Sequence, residues 1–304
     1  MIIKRLALSL ILLTLLCSAM PGHARAIANP PIEKGLLITP VRQFLSGDAG
    51  TTTTSSFTIA NLTDKPLSVA LSVKQFSVTD YAYTYQFEPP TDDWLHLSVT
   101  STVLQPNKSQ DISYSLQIPA RSAPGGHYYT LFATANLSSQ GVNSTIQAAD
   151  LVYLTVKGKL SSVSHLQSSS IHWLSFGSTI PFNLQPINTG NVYSYVYVSG
   201  QLHGLFVKPP TTSNAHLLMP GKVRNLSANI PSPVLPGIYL ASYGYKTDSD
   251  WIIEQSHLVV FIPPWFIAFL LAALLVGGKL LTRKKRRNTD GTMAEDDDTE
   301  DIKL

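Results

Sequence analysis

A pattern of strands and turns that occurs twice along the chain constrains its fold more than any other feature. In each copy a strand ends in Asn, a turn and an alternating strand follow, and a Leu-x-Pro turn, an Ile-Pro step and a Pro-Gly step come later in the same order. Short strands separated by Pro, Gly and Asn turns over about 100 residues are typical of an immunoglobulin-like β-sandwich. The repeat therefore predicts an all-β protein with two tandem sandwiches. The matched positions are Asn61 with Asn188, Leu104 with Leu218, Ile118 with Ile230, and Gly125 with Gly237.

The first immunoglobulin-like module is expected over residues 35–158 and the second over 171–258, with a polar linker at 159–170. In the stretch Leu67–Val73 apolar residues alternate with polar or small ones, as expected for a strand with one buried face. The chain has one cysteine, Cys17, and it lies near the N-terminus. Ordinary apolar cores, and not disulfides, are therefore expected to hold the two modules together.

Both ends of the chain are predicted to serve targeting. Residues 1–26 combine a basic start, an apolar stretch and an Ala-x-Ala motif, which is typical of a signal peptide cleaved after Ala26. Residues 259–281 are apolar and uncharged as far as Gly278, and they predict a C-terminal transmembrane α-helix. A basic cluster follows and indicates the cytoplasmic side of a membrane. This stop-transfer cluster is Arg283, Lys284, Lys285, Arg286 and Arg287.

These segments together predict a single-pass protein of the cell membrane with both modules outside. Residues 282–304 are then a cytoplasmic tail, basic and afterwards acidic, that is expected to be disordered. Residues 27–258 carry 12 Lys+Arg and 12 Asp+Glu, so the exterior part has no net charge. Because this part has no basic stripe, nucleic acid is not expected as a partner.

Catalytic chemistry is not expected from this sequence. The eight histidines stand singly, without the paired spacing of a zinc site. No G-x-S-x-G, S-x-x-K or glycine-rich phosphate loop occurs. Asp92 and Asp93 are adjacent, which suits a turn better than a catalytic dyad, since neighbouring residues of a strand point to opposite faces. The prediction is a non-enzymatic protein without catalytic residues, cofactor or metal.

Two rows of alternating tyrosines are the main candidates for a binding surface. Alternation along a strand places the side chains of each row on one face. Half-exposed tyrosines can contact sugars or proteins, whereas cross-strand pairing or core filling is the alternative interpretation. The candidate partner-binding surface consists of Tyr81, Tyr83 and Tyr85 in the first row, Tyr193, Tyr195 and Tyr197 in the second, and Trp94.

The repeat also predicts the direction in which the second row points. Aligning Asn61 with Asn188 and Leu67 with Val192 places the valines between the tyrosines on the apolar, inward face. The three tyrosines then point outward, toward the other module, a partner or a membrane surface. An error of one residue in the length of the turn would reverse every side chain.

The first module resembles a known family. Gly35–Phe76 resembles the opening module of WxL-interacting-type surface proteins of Gram-positive bacteria, in which a Pro-x-Arg strand precedes a Gly turn and a strand ending in Asn. Ile118–Thr130 resembles the later proline strand, Pro-Gly turn and aromatic strand of that module, and Trp94 lies where it often has a tryptophan. The resemblance implies a bacterial membrane-anchored protein whose first module contacts peptidoglycan and whose second contacts a protein.

Two functions of different classes follow as hypotheses. The first is a membrane-anchored cell-envelope protein that binds peptidoglycan or another surface protein through its exterior modules. The alternative is an accessory or scaffold subunit of a membrane complex, which interacts through its membrane span and its charged tail.

Overall fold

Alternating apolar residues form the strands that dominate this chain. The computed structural model describes residues 35–139, 142–247 and 251–290. In the strand Leu67–Val78, for example, Leu67, Val69 and Leu71 are buried and the residues between them are exposed. Nineteen strands and one helix lie within the described ranges. The predicted all-β sandwich class is therefore confirmed.

Ten strands form the first sandwich. They are β1 (Leu36–Thr39), β2 (Arg42–Gly47), β3 (Thr52–Asn61), β4 (Leu67–Val78), β5 (Tyr85–Glu88), β6 (Leu95–Leu97), β7 (Ser101–Leu104), β8 (Ser109–Gln117), β9 (Gly125–Ser139) and β10 (Val142–Val156). One sheet has the order β1-β3-β8-β6, and the other has the order β2-β10-β9-β4-β5, with β7 also paired to β4. All of these pairs are antiparallel except β2 with β10, which is parallel.

Nine strands form the second sandwich. They are β11 (Ser164–Ile171), β12 (Leu174–Ser175), β13 (Thr179–Asn188), β14 (Ser194–His203), β15 (Thr211–Thr212), β16 (His216–Leu218), β17 (Leu226–Pro231), β18 (Gly237–Thr247) and β19 (Trp251–Phe261). The sheets have the orders β11-β13-β17 and β12-β19-β18-β14-β15, with β16 also paired to β14. As in the first sandwich, the second strand, β12, pairs in parallel with the last strand, β19.

Each sandwich encloses its own apolar core. Phe57 on β3 and Leu131 on β9 lie on facing sheets of the first sandwich and are buried almost completely. Phe182 on β13 and Val196 on β14 lie on facing sheets of the second sandwich and are likewise buried. Burial of apolar area in two separate cores stabilises each sandwich without any disulfide.

The Asn that ends a strand in each repeat copy has the same structural role. Both side chains are fully buried. In each, the amide nitrogen donates to the carbonyl four residues later and to the carbonyl of the Leu in the Leu-x-Pro turn, while the amide oxygen accepts from the N–H two residues later. The repeat therefore reflects a buried hydrogen-bond network that closes one end of each sandwich. The carbonyls are those of Lys65 and Leu104 for Asn61, and of Val192 and Leu218 for Asn188.

The predicted linker contains most of a strand. β11 begins at Ser164 and pairs with β13, so only the first part of residues 159–170 lies between the two sandwiches. β11 is an edge strand of a three-stranded sheet, and two of its serines, Ser168 and Ser170, are exposed. Its polar composition therefore resembles that of a linker, although its main chain is part of the sheet.

The apolar segment near the C-terminus is divided between a strand and a helix. Residues 259–261 belong to β19, and the helix α1 runs over Pro264–Asp290. That division leaves 15 uncharged helical residues, Pro264–Gly278, where about 20 are needed to cross a bilayer. In the described part of the chain, no helix combines the length and the apolar character that a membrane crossing requires. The predicted transmembrane helix at 259–281 and the single-pass location at the cell membrane are therefore wrong.

Several predictions fall partly or wholly outside the described residues. The signal peptide at residues 1–26, with its cleavage at Ala26, lies outside them, and so do residues 291–304 of the tail. The start of that tail, with the basic cluster Arg283–Arg287, belongs to the backbone of α1. The tail is thus helical as far as Asp290, where disorder was expected.

Candidate functional site

An aromatic cluster lies where the two sandwiches meet, and we call it the aromatic joint. At its centre the ring of Tyr153 on β10 is fully buried. Its centroid is 5.0 Å from that of Phe44 and 5.2 Å from that of Phe76. Rings at such distances attract one another through offset and edge contacts, beyond the area that they bury. The joint consists of Phe44, Phe76, Tyr85, Tyr128 and Tyr153 of the first sandwich with Tyr193 and Tyr195 of the second.

The second tyrosine row supplies one side of this joint. Val196 and Val198 are buried in the core of the second sandwich, whereas the tyrosines lie on the opposite face of the same segment. The ring of Tyr193 is 5.5 Å from that of Phe44, and the ring of Tyr195 is 6.3 Å from it. These two tyrosines therefore contact the other sandwich. Tyr197 lies further along β14, where the Lys246 ammonium is 5.7 Å from its ring centre.

The sequence predicted that the tyrosines of the first row share one strand face, but in the structure they do not. β5 begins only at Tyr85, and Tyr81 and Tyr83 lie in the β4–β5 connection with φ values of 62° and 59°. A left-handed φ is incompatible with a strand. The Tyr83 hydroxyl accepts a hydrogen bond from the N–H of Met219, and the Arg224 guanidinium lies 4.2 Å from its ring centre. The connection thus docks on the second sandwich.

The chemistry of Tyr83 agrees with a structural contact. Burial raises the pKa of Tyr83 to about 12, although the hydrogen bond from Met219 opposes part of this rise. The hydroxyl is therefore protonated and neutral throughout the physiological pH range. The neighbouring Tyr81 is 44% exposed, and its N–H donates to the carbonyl of Val223 on the second sandwich.

Trp94 lies apart from both tyrosine rows. Its ring centroid is 4.3 Å from that of His127, and its side chain packs against the core of the first sandwich. Burial lowers the pKa of His127, so this imidazole is neutral at pH 7. The structure thus brings Tyr83, Tyr85, Tyr193 and Tyr195 together between the sandwiches. Contact of Tyr81, Trp94 and Tyr197 with a partner stays a prediction.

The last strand of the first sandwich has an edge with which no described strand forms a ladder. β1 passes nearby but pairs with β3. β2 pairs with β10 only along Leu151–Val156, although β10 begins nine residues earlier at Val142. The N–H of Leu151 donates to the carbonyl of Val41, so the main-chain groups of odd-numbered residues point toward this side. We call residues 145–149 the β10 edge. By the same alternation, its open N–H and C=O groups are those of Thr145, Gln147 and Ala149.

This edge was not predicted from the sequence. β2 and β10 are separated by about 100 residues in the sequence, and no local pattern reveals how far such a pairing extends. In the structure, β9 and β10 have 15 residues each whereas β2 has six. β2 is therefore too short to pair with the whole edge of β10.

A buried carboxyl group lies directly beside the β10 edge. Asp150 is 0% exposed; its Oδ2 accepts a hydrogen bond from Gln43 Nε2, and its Oδ1 has no partner among the described residues. The Gln43 Oε1 accepts from the hydroxyls of Ser55 and Tyr114, both at 3.0 Å. Burial raises the pKa of Asp150 to about 6, against the opposing effect of the Gln43 hydrogen bond. The network connects β2, β3, β8 and β10 where the open edge begins.

Asp150→Asn is expected to stabilise the protein at neutral pH. The pKa of about 6 in the folded state exceeds the ordinary value of 3.8, so protonation favours folding. The contribution of the Asp150 carboxyl group to the free energy of unfolding is therefore greatest at low pH, and it decreases as the pH rises from about 4 to about 6. Asparagine carries no charge, and its oxygen can still accept from Gln43. Urea unfolding at about pH 4 and about pH 7.5 should show that the variant gains stability over the wild type only at the higher pH.

Asp48→Asn is the matched control for this prediction. Asp48 is exposed, and its carboxylate lies 3.0 Å from the Lys157 ammonium. Because exposed ion pairs contribute little, this variant should show no pH-dependent gain of stability. A difference between Asp150→Asn and the wild type that stays constant between the two pH values would contradict the raised pKa.

Comparisons with known proteins identify similar structures but no family. No family model matches the chain, and no curated protein does. The class 5 fimbriae chaperone CfaA is 12% identical with a TM-score of 0.43, and the alignment covers 75% of this chain and 100% of that chain. The E. coli chaperone DraB is 10% identical with a TM-score of 0.34, covering 74% and 95%. A chain of the Salmonella enterica SafA pilin–SafB chaperone complex is 13% identical with a TM-score of 0.35, covering 75% and 96%.

These findings correct the predicted family. No family model matches the chain, and the similar solved structures named above are fimbrial chaperones, so the predicted membership in the WxL-interacting-type family is wrong. The function that followed from it, a membrane-anchored cell-envelope protein that binds peptidoglycan, is wrong as well. The alternative of a subunit that interacts through a membrane span fails because the described residues contain no such span. At identities of 10% to 13%, the likeness to the three chaperone structures concerns the fold alone.

Proposed function

We propose that this chain is a non-enzymatic protein-binding protein that holds an extended segment of a partner protein on the β10 edge. The observation that supports the proposal most directly is the row of main-chain N–H and C=O groups at Thr145, Gln147 and Ala149, with which no described strand forms a ladder. An exposed strand edge accepts a further strand readily, because each open group gains a hydrogen bond when the sheet is extended.

The side chains of the β10 edge indicate which segment it would accept. Ile146 and Ala148 point inward, are half-buried and extend the apolar core. Thr145 and Gln147 point outward, where they hydrogen-bond to side chains of β9. A partner segment with apolar residues at every second position would place them beside Ile146 and Ala148, with its polar residues facing outward.

The aromatic joint supports this function by holding the edge in place. Tyr153 lies four residues after Ala149 on the same strand, and its buried ring connects β10 to the second sandwich. A strand that is already ordered loses little conformational freedom when a partner binds. The second sandwich thus acts as a support for the edge.

Enzymatic function has less support in the described part of the chain. No group of three His, Cys, Asp or Glu side chains there could hold a metal ion. The carboxyl group with the clearest rise in pKa, that of Asp150, is buried without access to solvent. A buried carboxyl group that bonds to Gln43 fits a structural role better than a catalytic one.

Gln147→Pro is expected to weaken partner binding at least tenfold, because proline has no N–H and its ring would collide with an added strand. Extended peptides selected from a random peptide library against the full chain serve as the partner. Their affinity is measured by calorimetry. Hydrogen exchange then reports whether the amides of Thr145, Gln147 and Ala149 become protected on binding.

Gln147→Ala is the matched control, since it removes the same side chain but keeps the N–H. This variant should bind within about twofold of the wild type. Peptides that bind the wild type and Gln147→Pro equally well, without protection of these amides, would show that the β10 edge is not the binding site.

A further inference from the structure

The two sandwiches can be aligned through their last hairpins. The Gly of each Pro-Gly step pairs with the final residue of the hairpin's second strand, Gly125 with Val156 and Gly237 with Phe261. Equal distances from these ends identify equivalent positions on β10 and β19.

The second sandwich lacks most of the strand that covers this hairpin in the first. β2 pairs with the last six residues of β10, whereas β12 pairs only with Val260 and Phe261. The N–H of Val260 donates to the carbonyl of Trp173, so even-numbered residues point their main-chain groups to this side. β11 passes nearby but forms its ladder with β13. We call residues 254–258 the β19 edge, and its open groups are those of Glu254, Ser256 and Leu258.

The side chains beside the β19 edge are apolar and uncovered. Three residues before the hairpin end, Tyr153 of the first sandwich corresponds to Leu258 of the second. Tyr153 is covered by Phe44 of β2, at 5.0 Å between ring centroids. Leu258, in contrast, is 66% exposed, and Leu240, which pairs with it on β18, is 42% exposed. The place that β2 fills in the first sandwich is thus empty in the described part of the second.

We infer that the β19 edge is a second binding site, which accepts an extended segment of a partner protein in the place that β2 has in the first sandwich. The segment would pair with Ser256 and Leu258 and would place a large apolar side chain over Leu258 and Leu240, as Phe44 lies over Tyr153. This inference rests on strand addition, the binding mode of the proposed function, and extends it to a second edge with a more apolar preference.

Charge indicates the direction and sequence of the segment. In β2, Arg42 precedes Phe44 by two residues, and its guanidinium lies 5.7 Å from the Tyr153 ring centre. By the hairpin alignment, a residue in the place of Arg42 would pair with Ser256, and Glu254, two residues before Ser256 on the same face of β19, presents an exposed carboxylate. The proposed segment would run parallel to β19 and carry a basic residue two positions before its apolar residue. Its apolar side chain would then lie over Leu258, and its basic side chain would lie near the carboxylate of Glu254.

The chain itself supplies the probe for the test. A synthetic peptide with the sequence of residues 41–48, VRQFLSGD, is titrated into the full chain by calorimetry, and hydrogen exchange locates it. Ser256→Pro, which removes an open N–H, and Leu258→Glu, which places a charge under the apolar residue, should each weaken binding at least tenfold. A peptide with alanine in place of the phenylalanine should bind at least tenfold more weakly than VRQFLSGD.

Two variants serve as controls. Leu205→Glu places the same charge on a side chain that is 80% exposed and lies outside β19, and it should not change binding. Gln147→Pro at the β10 edge should also leave binding unchanged.

Absence of peptide binding, or equal binding to Ser256→Pro, would overturn the inference. Loss of binding in Gln147→Pro alone would also overturn the inference, because it would show that the peptide binds the β10 edge. That result would agree with the proposed function. A dimer that Leu258→Glu dissolves, without peptide binding, would make a second copy the occupant and overturn the inference.

Discussion

Tyr153→Ala is expected to lower the free energy of unfolding by about 4 kcal/mol, because it empties the centre of the aromatic joint. The ring is fully buried and has four rings within 5.7 Å between centroids. The cavity cannot close without moving both sandwiches, since the ring contacts Phe44 on one side and Tyr193 on the other. Urea unfolding measures the loss, and calorimetry shows whether one unfolding transition separates into two.

Tyr153→Phe separates the ring from its hydroxyl. Among the described residues, the hydroxyl of Tyr153 has a weak contact with the Tyr85 hydroxyl, at 3.5 Å. This variant should therefore stay within about 1 kcal/mol of the wild type. A loss of less than about 1 kcal/mol in Tyr153→Ala would mean that the aromatic joint contributes little to stability.

Asn188→Ala is expected to lower the free energy of unfolding by about 3 kcal/mol, and Asn61→Ala by a similar amount. Loss of the Asn188 side chain leaves two main-chain carbonyls and one N–H without their partner, and loss of the Asn61 side chain leaves three carbonyls and one N–H, in each case where the Asn side chain is fully buried. An unsatisfied buried polar group costs about 1 to 3 kcal/mol, so the loss exceeds that of an ordinary hydrogen bond. Urea unfolding monitored by circular dichroism measures the change for each variant.

Asn225→Ala is the control, since Asn225 is exposed and its side chain has no such network among the described residues. Its stability should stay within about 0.5 kcal/mol of the wild type. Equal stability of Asn188→Ala and Asn225→Ala would show that the buried network does not hold the end of the second sandwich.

The direction of the second tyrosine row shows how far an internal repeat supports prediction. The sequence alignment matched Leu67 with Val192, whereas the ladders match it with Ser194, because Leu67 pairs with Leu104 and Ser194 pairs with Leu218. The alignment was thus displaced by two residues. Since side chains alternate with a period of two, this displacement left each residue on its predicted face.

Other predictions failed where a local pattern has two possible structures. Tyr81 and Tyr83 alternate with Tyr85 as on a strand, but left-handed φ values place them in a turn that docks on the second sandwich. The apolar residues after Leu258 satisfied the pattern of a membrane helix, yet pairing with β18 retains the first of them in β19. Composition alone does not distinguish these cases, because tertiary contacts decide between them.

By itself, the sequence determined the local properties of this protein: where strands alternate, where turns interrupt them, and that the pattern occurs twice. These properties depend on interactions such as the hydrogen bond from Asn61 to Lys65, four residues away. Only the tertiary structure decided that the outward tyrosines lie between the sandwiches and that β10 and β19 keep open edges. Those features depend on contacts such as Gln43 with Asp150, which are 107 residues apart. Local sequence patterns do not predict such pairings, because the packing of distant strands determines which main-chain groups form hydrogen bonds.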